Sequence, residues 1–164
     1  MPESIALRKP TPSDGKSVYD LVKQCPPLDI NSMYCNLLQA THFSATSVAA
    51  ELKGKMVGFV SGYIVPEKPN VLFVWQVAVA EEARGRGLAK SMIFHILDRA
   101  ETRQVDTIQT TITADNGPSR SLFKRLSKEL EAPLNEYEMF DRDKHFGGTH
   151  DSEFLIEIAS FRRV

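Results

Sequence analysis

The chain has 164 residues with 20 Lys and Arg against 21 Asp and Glu, which gives a formal net charge of -1. We expect one domain over residues 1–164, because this length lies within the usual range for a single domain. Balanced charge argues against a nucleic-acid partner, since proteins that bind the phosphate backbone carry a basic excess. The two cysteines, Cys25 and Cys35, form no CxxC pair, which argues against a disulfide scaffold and a thiolate metal site.

The chain shows no sequence feature of a membrane protein. No apolar run reaches the roughly 18 residues needed to span a bilayer, and residues 1–12 lack the apolar core of a signal peptide. We therefore expect no membrane partner and a cytoplasmic location.

The first half of the chain predicts a strand, two helices and a β-hairpin. Ser13 and Asp14 follow two prolines and provide capping oxygens for a helix, which Pro26 and Pro27 end because consecutive prolines cannot continue it. A Lys53-Gly54-Lys55 turn between two apolar runs indicates a hairpin. The predicted elements are a strand at 4–9, a helix from 13 or 14 to 24, a helix from 31 or 32, and strands at 44–52 and 56–65.

The second half alternates strands and helices. The β-branched and aromatic run at 71–79 predicts a largely buried strand, and Ala89, Met92, Ile93 and Ile96 begin a helical pattern of apolar positions. The predicted elements are a strand at 71–79, helix 88–99, strand 105–113, helix 116–128, a strand around 137–140 and a strand at 153–161. This order indicates a mixed α/β layer protein without a linker to a second domain.

The segment Arg84-Gly85-Arg86-Gly87-Leu88-Ala89 joins the predicted buried strand at 71–79 to the helix that follows it. Such a turn gathers the N–H groups of the first helical turn around an anion, and the helix dipole adds attraction. The glycines permit close approach of a ligand to the backbone, and the arginines add positive charge. The alternative is an ordinary tight turn with two solvated arginines. The segment is neither a Walker loop nor a Rossmann fingerprint, because Gly-Lys-Ser/Thr and a third glycine are both missing.

The spacing Arg84-x-x-Gly87-x-Ala89 resembles the pyrophosphate-binding signature of the GCN5-related N-acetyltransferases, and the element order resembles that family over nearly the whole chain. The resemblance implies an α/β (α+β layered) GNAT-type acyl-CoA N-acyltransferase fold, with a central mixed, mostly antiparallel sheet flanked by helices. It implies acetyl-CoA as co-substrate, with the pantetheine arm along a strand that splays from the strand at 105–113. No His, Asp and Glu spacing indicates a metal. The implied coenzyme-binding residues here are Val77, Val79, Arg84, Gly85, Arg86, Gly87, Leu88 and Ala89.

A second segment, Asn116-Gly-Pro-Ser119-Arg-Ser-Leu-Phe123, resembles the Asn-x-x-Ala-x-x-Leu-Tyr helix that flanks coenzyme A in this family. The resemblance implies that Asn116, Ser119 and Phe123 contact the coenzyme, and a helix cap is the alternative role of Asn116. Phe123 stands where many relatives have a tyrosine that protonates the departing thiolate. A phenyl ring cannot donate a proton, so that step needs water, another side chain or no specific acid.

Three more segments point to the acceptor amine. Cys25-Pro-Pro-Leu-Asp29-Ile-Asn31-Ser-Met-Tyr34, Phe73-Val-Trp75-Gln-Val77 and His150-Asp-Ser-Glu153 resemble the branch of the family that acetylates L-2,4-diaminobutyrate, an early step of ectoine biosynthesis. This diamino acid has two ammonium groups and one carboxylate at neutral pH, so its pocket needs anionic groups. The substrate-binding residues that the resemblance implies are Asp29, Asn31, Tyr34, Trp75, Thr111 and Glu153.

Four of the six acceptor residues also have a structural alternative. Asp29 could form a turn or cap a helix, and Tyr34 could simply pack its ring. Trp75 could belong to the core, and Glu153 could be a solvent-facing or ion-paired strand residue.

We expect direct transfer in a ternary complex, with Glu153 and Val77 as the catalytic groups. Glu153 would deprotonate the amine, with His150 as a weaker candidate base, and the backbone N–H of Val77 would polarise the thioester carbonyl. The alternatives are acetylation of another small amine or a protein N-terminus, and a non-catalytic acyl-CoA-binding module, which Phe123 favours. The resemblance also implies a homodimer, and the apolar strand at 153–161 could face the partner or fill the chain's own core.

Overall fold

The computed structural model describes residues 4–163. Residues 1–3, at the start of the predicted domain, and residue 164 at its end lie outside the described residues. The strands are β1 (Ala6–Arg8), β2 (Val48–Leu52), β3 (Lys55–Ile64), β4 (Val71–Val79), β5 (Thr107–Thr113), β6 (Leu134–Phe140) and β7 (Glu153–Ala159). The helices are α1 (Gly15–Lys23), α2 (Met33–Thr41), α3 (Leu88–Leu97) and α4 (Gly117–Leu130).

The strands form a sheet in the order β1-β2-β3-β4-β5-β7-β6. β2 pairs antiparallel with β1 and with β3, and β7 pairs antiparallel with β5 and with β6. β4 and β5 run parallel and pair through Val71–Phe73 and Thr107–Gln109. The sheet is therefore mixed and mostly antiparallel, as predicted, and the splaying of β4 from β5 stays a prediction. No helix within residues 4–163 combines the length and the apolar composition that a bilayer crossing requires.

Contacts divide the described chain into two compact units. The first unit comprises the residues up to Ile64 together with Val74–Arg103, and the second comprises Val65–Phe73 with the residues from Gln104 onward. The prediction of a single domain over 1–164 stays a prediction.

The core of the first unit lies between its helices and β3. Val18 and Val22 of α1, Phe59 of β3, and Ile93 and Ile96 of α3 are at most 2 % exposed. α1 and α3 therefore each present one apolar face to the core, as their spacing of apolar residues predicts, whereas the buried residues of α2 are Asn36, Gln39 and Ala40.

Gly58 in β3 sets how closely the first residue of α3 approaches the sheet. A Cβ at this position would lie 3.0 Å from Met92 Cε and 3.1 Å from Leu88 Cδ2. Because Leu88 begins α3, a larger residue at 58 would press on the end of the helix that follows the glycine turn.

The core of the second unit is formed by β4, β5, β7 and α4. Leu72, Ile108, Leu126 and Ile158 are fully buried. Ile156 and Phe161 are also buried, at 2 % and 3 % exposure. For these three residues of the 153–161 segment, Ile156, Ile158 and Phe161, the structure favours the core over a partner-facing role.

The predicted and observed elements differ mainly at the ends of the strands. Residues 44–46 form a 3-10 turn rather than the start of β2, and β5 begins at Thr107 rather than at residue 105. The hairpin turn is present as predicted, with Lys53 at φ 53° and Gly54 at φ 76°, the left-handed pair typical of a two-residue hairpin. β6 extends over Leu134–Phe140, three residues earlier than predicted.

Candidate active site

The glycine turn before α3 has the backbone geometry of an anion-binding helix start. Gly85 and Gly87 have φ angles of 77° and 71°, and a Cβ at either position would meet no atom within 4 Å. The left-handed backbone at both positions therefore favours glycine. The first hydrogen bond of α3 runs from Ser91 N–H to Gly87 O at 3.0 Å, so the N–H groups of Leu88 and Ala89 have no partner within the helix.

The turn is tied to the end of β4 by a side chain. Arg84 Nε donates to Val79 O at 3.1 Å, and Cys25 Sγ lies 3.5 Å from the same carbonyl. The Val79 carbonyl therefore accepts a hydrogen bond that helps to fix the turn. Arg84 and Arg86 are exposed, so both remain available for an anion. Contacts with the coenzyme were predicted for this turn, for Val77 and for Val79, and all of them stay predictions.

The segment between α1 and α2 presents Asp29 on an exposed loop. Ser32 caps α2, because its Oγ accepts from Cys35 N–H at 3.1 Å. The cap of α2 is therefore formed by Ser32 and not by Asp29. Tyr34 is 70 % exposed, which argues against the alternative that its ring is packed.

Trp75 lies on the more open face of β4, in a cluster of three aromatic rings. Its ring meets Phe43 edge-on at 6.2 Å and Tyr63 edge-on at 6.0 Å between centroids. Trp75 is 38 % exposed, so it lines a surface and is not a core residue. Burial raises the pKa of the Tyr63 hydroxyl beside it, which keeps this ring neutral.

Gln76 is a residue of this region to which sequence reasoning gave no role. It is 8 % exposed and accepts from Asn31 Nδ2 at 2.9 Å. Its Nε2 donates to Asp29 O at 2.9 Å. The structure therefore brings Asp29 and Asn31 together through Gln76, and the only sequence signal was a glutamine within an otherwise apolar strand.

In the second unit, the start of α4 holds the second predicted coenzyme segment. Asn116 Oδ1 accepts from Ser119 N–H at 3.3 Å and caps the helix, which is one of the two roles considered for Asn116. Phe123 is 2 % exposed and its ring packs in the core of the unit. Contacts of Asn116, Ser119 and Phe123 with a coenzyme stay predictions.

Glu153 begins β7 in the second unit, close to a shallow cavity. The cavity has a volume of about 350 Å³ and is lined by Thr113, Arg142, Gly148, Thr149, His150 and Asp151. The side chain of Glu153 is 19 % exposed, and its Oε1 lies 4.0 Å from His150 Nε2. His150 Nδ1 lies 2.6 Å from Asp151 O, and its ring lies 4.5 Å from that of Phe146. The imidazole is thus held beside the carboxylate.

Thr111 lies in β5 opposite Leu155 of β7 and is half-buried. The predicted substrate residues are divided between the units, with Asp29, Asn31, Tyr34 and Trp75 in the first and Thr111 and Glu153 in the second. Their contacts with a substrate stay predictions.

Residues 15–127 match the sequence profile of the Acetyltransferase (GNAT) family. The chain belongs to the GNAT family. It is 49 % identical over 160 residues to L-2,4-diaminobutyric acid acetyltransferase from Methylotuvimicrobium alcaliphilum, covering 98 % of this chain and 93 % of the relative. The enzyme of that name from Halomonas elongata is 48 % identical over 157 residues, covering 95 % of this chain and 81 % of the relative.

Solved structures of GNAT proteins have the same fold as this chain. Diaminobutyrate acetyltransferase EctA from Paenibacillus lautus, in complex with L-2,4-diaminobutyric acid and coenzyme A, superposes with a TM-score of 0.93. The identity is 34 %, and 99 % of this chain and 98 % of that one are covered. The ribosomal-protein-S18-alanine N-acetyltransferase from Escherichia coli is 14 % identical with a TM-score of 0.73, covering 98 % and 97 %, and shares the fold alone.

The side chains of this GNAT protein offer no place for a metal among the described residues. Within residues 4–163, no three His, Cys, Asp or Glu side chains are arranged to hold an ion. Both cysteines are free thiols, and burial raises the pKa of the Cys35 thiol.

Proposed function

We propose that this protein is an L-2,4-diaminobutyrate N4-acetyltransferase that takes its acetyl group from acetyl-CoA, in an early step of ectoine biosynthesis. The observation that carries the proposal is 49 % identity over 98 % of the chain to a diaminobutyric acid acetyltransferase. The substrate-bound structure from Paenibacillus lautus supports the same acceptor, since its backbone matches this one at a TM-score of 0.93.

The coenzyme's pyrophosphate binds at the glycine turn. The N–H groups of Leu88 and Ala89, the dipole of α3 and the charges of Arg84 and Arg86 all favour an anion there. Val77 and Val79 hold the pantetheine arm through backbone hydrogen bonds, and Asn116, Ser119 and Phe123 flank the coenzyme.

The acceptor is recognised by charge, because diaminobutyrate presents two ammonium groups. Asp29 binds one ammonium through its exposed carboxylate. Tyr34 and Trp75 shape the apolar wall of the pocket, while Asn31 and Thr111 provide neutral hydrogen bonds. The open positions of Tyr34 and Trp75 support these roles, since neither ring is needed to fill the core.

The reaction is direct transfer of the acetyl group. Glu153 accepts a proton from the N4 ammonium, and the resulting lone pair attacks the thioester carbonyl carbon. The N–H of Val77 donates to the developing oxyanion. The carbon–sulfur bond then breaks and coenzyme A leaves as a thiolate, while the second proton of the attacking nitrogen passes through water to that thiolate. The thiolate does not receive its proton from position 123, because Phe123 has no donor. No cysteine carries the acetyl group.

The position of His150 supports the choice of Glu153 as base. His150 Nε2 lies 4.0 Å from Glu153 Oε1, and His150 also lines the cavity of about 350 Å³, which supports room for an amine near Glu153.

The experiment is a thiol-release assay with acetyl-CoA and four amines: diaminobutyrate, ornithine, lysine and spermidine. We expect the highest kcat/KM with diaminobutyrate, and mass and NMR spectra that place the acetyl group on N4. Higher kcat/KM with another amine would identify a different acceptor. Tight acetyl-CoA binding without thiol release from any amine would support the non-catalytic binding module instead.

We also propose a homodimer that works in the cytoplasm. The cytoplasmic location agrees with the two free thiols, which a reducing compartment preserves. Light scattering coupled to size-exclusion chromatography should give a mass of twice 18.4 kDa, whereas the mass of one chain would refute the dimer.

A further inference from the structure

Four buried polar residues form a hydrogen-bonded network in the first unit. Gln76 of β4, Ser61 of β3, and Asn36 and Gln39 of α2 are 8 %, 0 %, 1 % and 0 % exposed. Buried amides destabilise a protein unless they are hydrogen-bonded. The hydrogen bonds of these four residues should therefore show why polar side chains are buried here.

Gln76 is the residue with the most contacts in this network. Its backbone N–H donates to Ser61 Oγ at 3.1 Å, its Nε2 donates to Asp29 O at 2.9 Å, and its Oε1 accepts from Asn31 Nδ2 at 2.9 Å. Both ends of the side-chain amide are thus used on the segment between α1 and α2.

The other side of the network connects Ser61 to α2. Gln39 Nε2 lies 3.4 Å from Ser61 Oγ, and Asn36 Nδ2 donates to Gln39 Oε1 at 3.0 Å. Because α2 also bears Tyr34, one hydrogen-bonded network links the loop of Asp29, the helix of Tyr34 and the strand of Trp75.

An amide at position 76 is not explained by packing. Side chains alternate between the faces of a strand, so Gln76 shares its face of β4 with Val74 and Ala78, which are each 1 % exposed. An aliphatic residue would fit this face with less loss of hydration. What the amide adds is a donor for the Asp29 carbonyl and an acceptor for the Asn31 amide.

We propose that Gln76 is a positioning residue that fixes the loop of Asp29 for the acceptor amine, an inference that rests on the proposed function. Residues 27–32 include no helix or strand, so the position of this backbone depends on hydrogen bonds from other parts of the fold. Gln76 holds that backbone at the Asp29 carbonyl, and its side-chain oxygen holds the side-chain amide of Asn31 two residues later. Loss of the amide leaves the coenzyme turn at 84–89 intact and frees the acceptor loop.

The test is steady-state kinetics of Gln76→Leu with each substrate varied in turn. We expect the KM for diaminobutyrate to rise about tenfold, as for the loss of two hydrogen bonds, while the KM for acetyl-CoA changes by less than about twofold. Gln76→Glu should raise the KM for diaminobutyrate at least as much, because its oxygens cannot donate to the Asp29 carbonyl. The matched control is Gln109→Leu, which removes a glutamine of β5 that donates to Glu157 Oε2 at 2.7 Å and should leave both KM values unchanged.

A second measurement, made without substrates, keeps the inference testable if Gln76→Leu folds poorly. Asn31→Ala removes one of the two anchors from the surface side, and hydrogen exchange of the amides at 28–31 should accelerate about threefold or more in it, while exchange at 88–97 is unchanged. A residue that only touches substrate would leave this exchange at the wild-type rate.

Three results would overturn the role of Gln76: equal changes in both KM values, a KM for diaminobutyrate unchanged from wild type, or unchanged exchange at 28–31. Failure of the proposed function is a different result, because wild-type protein would then not acetylate diaminobutyrate at all.

Discussion

Arg99, just after α3, joins that helix to the segment before β2. Its Nη1 group lies 3.2 Å from Ser44 O, 2.9 Å from Ala45 O and 2.6 Å from Ser47 O. Its Nη2 lies 3.1 Å from His95 Nδ1. We predict that Arg99→Leu destabilises the protein because these carbonyls lose a charged donor.

The size of the effect follows from the donor count. Nη1 has two hydrogens for three carbonyls, so two full bonds are lost, each worth about 1.5–3 kcal/mol with a charged donor. In the wild type, the stability that these two bonds give is partly offset, because Arg99 Nε is buried without a hydrogen-bond partner among residues 4–163. This burial costs about 1–3 kcal/mol. The net loss is about 3 kcal/mol, which lowers the Tm of a protein of this size by about 6–12 °C.

The assay is thermal unfolding followed by circular dichroism, with Arg103→Leu as the matched control. Arg103 is exposed and lies four residues later, and within residues 4–163 its side chain makes a single hydrogen bond, from Nε to Ala100 O at 3.3 Å. Removing this side chain should therefore lower the Tm by less than about 2 °C. Equal Tm values for Arg99→Leu and Arg103→Leu would refute the argument from the carbonyls.

Three further predictions concern pH, proton transfer and the coenzyme turn. Burial and the Arg99 guanidinium lower the pKa of His95 below its ordinary 6.5, with Asp98 opposing them. As the pH falls, His95 is therefore protonated in the unfolded chain before it is protonated in the folded protein. The free energy of unfolding is highest above pH 6.5 and decreases as the pH falls towards the lower pKa of the folded state. His95→Gln should make the fall in Tm between pH 7.5 and pH 5 shallower, and an unchanged slope would contradict this. Glu153→Gln should lower kcat by about 100-fold or more while calorimetry shows unchanged coenzyme A binding, and a near-wild-type kcat/KM would exclude Glu153 as the base. Gly87→Ala should raise the KM for acetyl-CoA about fivefold, because alanine at φ 71° is strained by about 1 kcal/mol, and an unchanged value would remove this turn from the coenzyme site.

The elements beside the glycine turn were the easiest to predict from sequence. β4 has the predicted bounds, Val71–Val79, and α3 begins at the predicted Leu88. Both have strong local patterns, a continuous apolar run and a helical repeat of apolar residues. The two glycines between them mark the turn, because their left-handed backbone is a local requirement.

β6 was predicted too short because its sequence carries little pattern. The strand reads Leu-Asn-Glu-Tyr-Glu-Met-Phe, and all its residues after Leu134 are exposed. It lies at the edge of the sheet order, where no alternation of buried and exposed residues is required. Pairing with β7 determines this strand, and such a pairing is not visible in a local window of sequence.

Gln76 and Arg99 escaped sequence reasoning for a related reason. Gln76 bonds to residues 45 and 47 positions away, and Arg99 to carbonyls 52 to 55 positions away. Hydrogen bonds of this separation follow from the fold and not from neighbouring residues. Asp29 and Glu153 were predicted as site residues by resemblance alone, since a carboxylate in a loop or at a strand end has no spacing that marks it.

The positions of these residues suggest how GNAT proteins separate coenzyme from acceptor. Structures only 10 % to 14 % identical to this chain keep its fold, with TM-scores of 0.64 to 0.75, and a shared fold does not fix the acceptor. In this chain the coenzyme turn depends on regular elements, β4 and α3, whereas Asp29 lies in an irregular loop held by Gln76. Under the roles proposed for these two residues, a substitution of Asp29 alone changes the charge offered to the acceptor but keeps the loop anchored by Gln76. Moving that charge as well requires a substitution at Gln76.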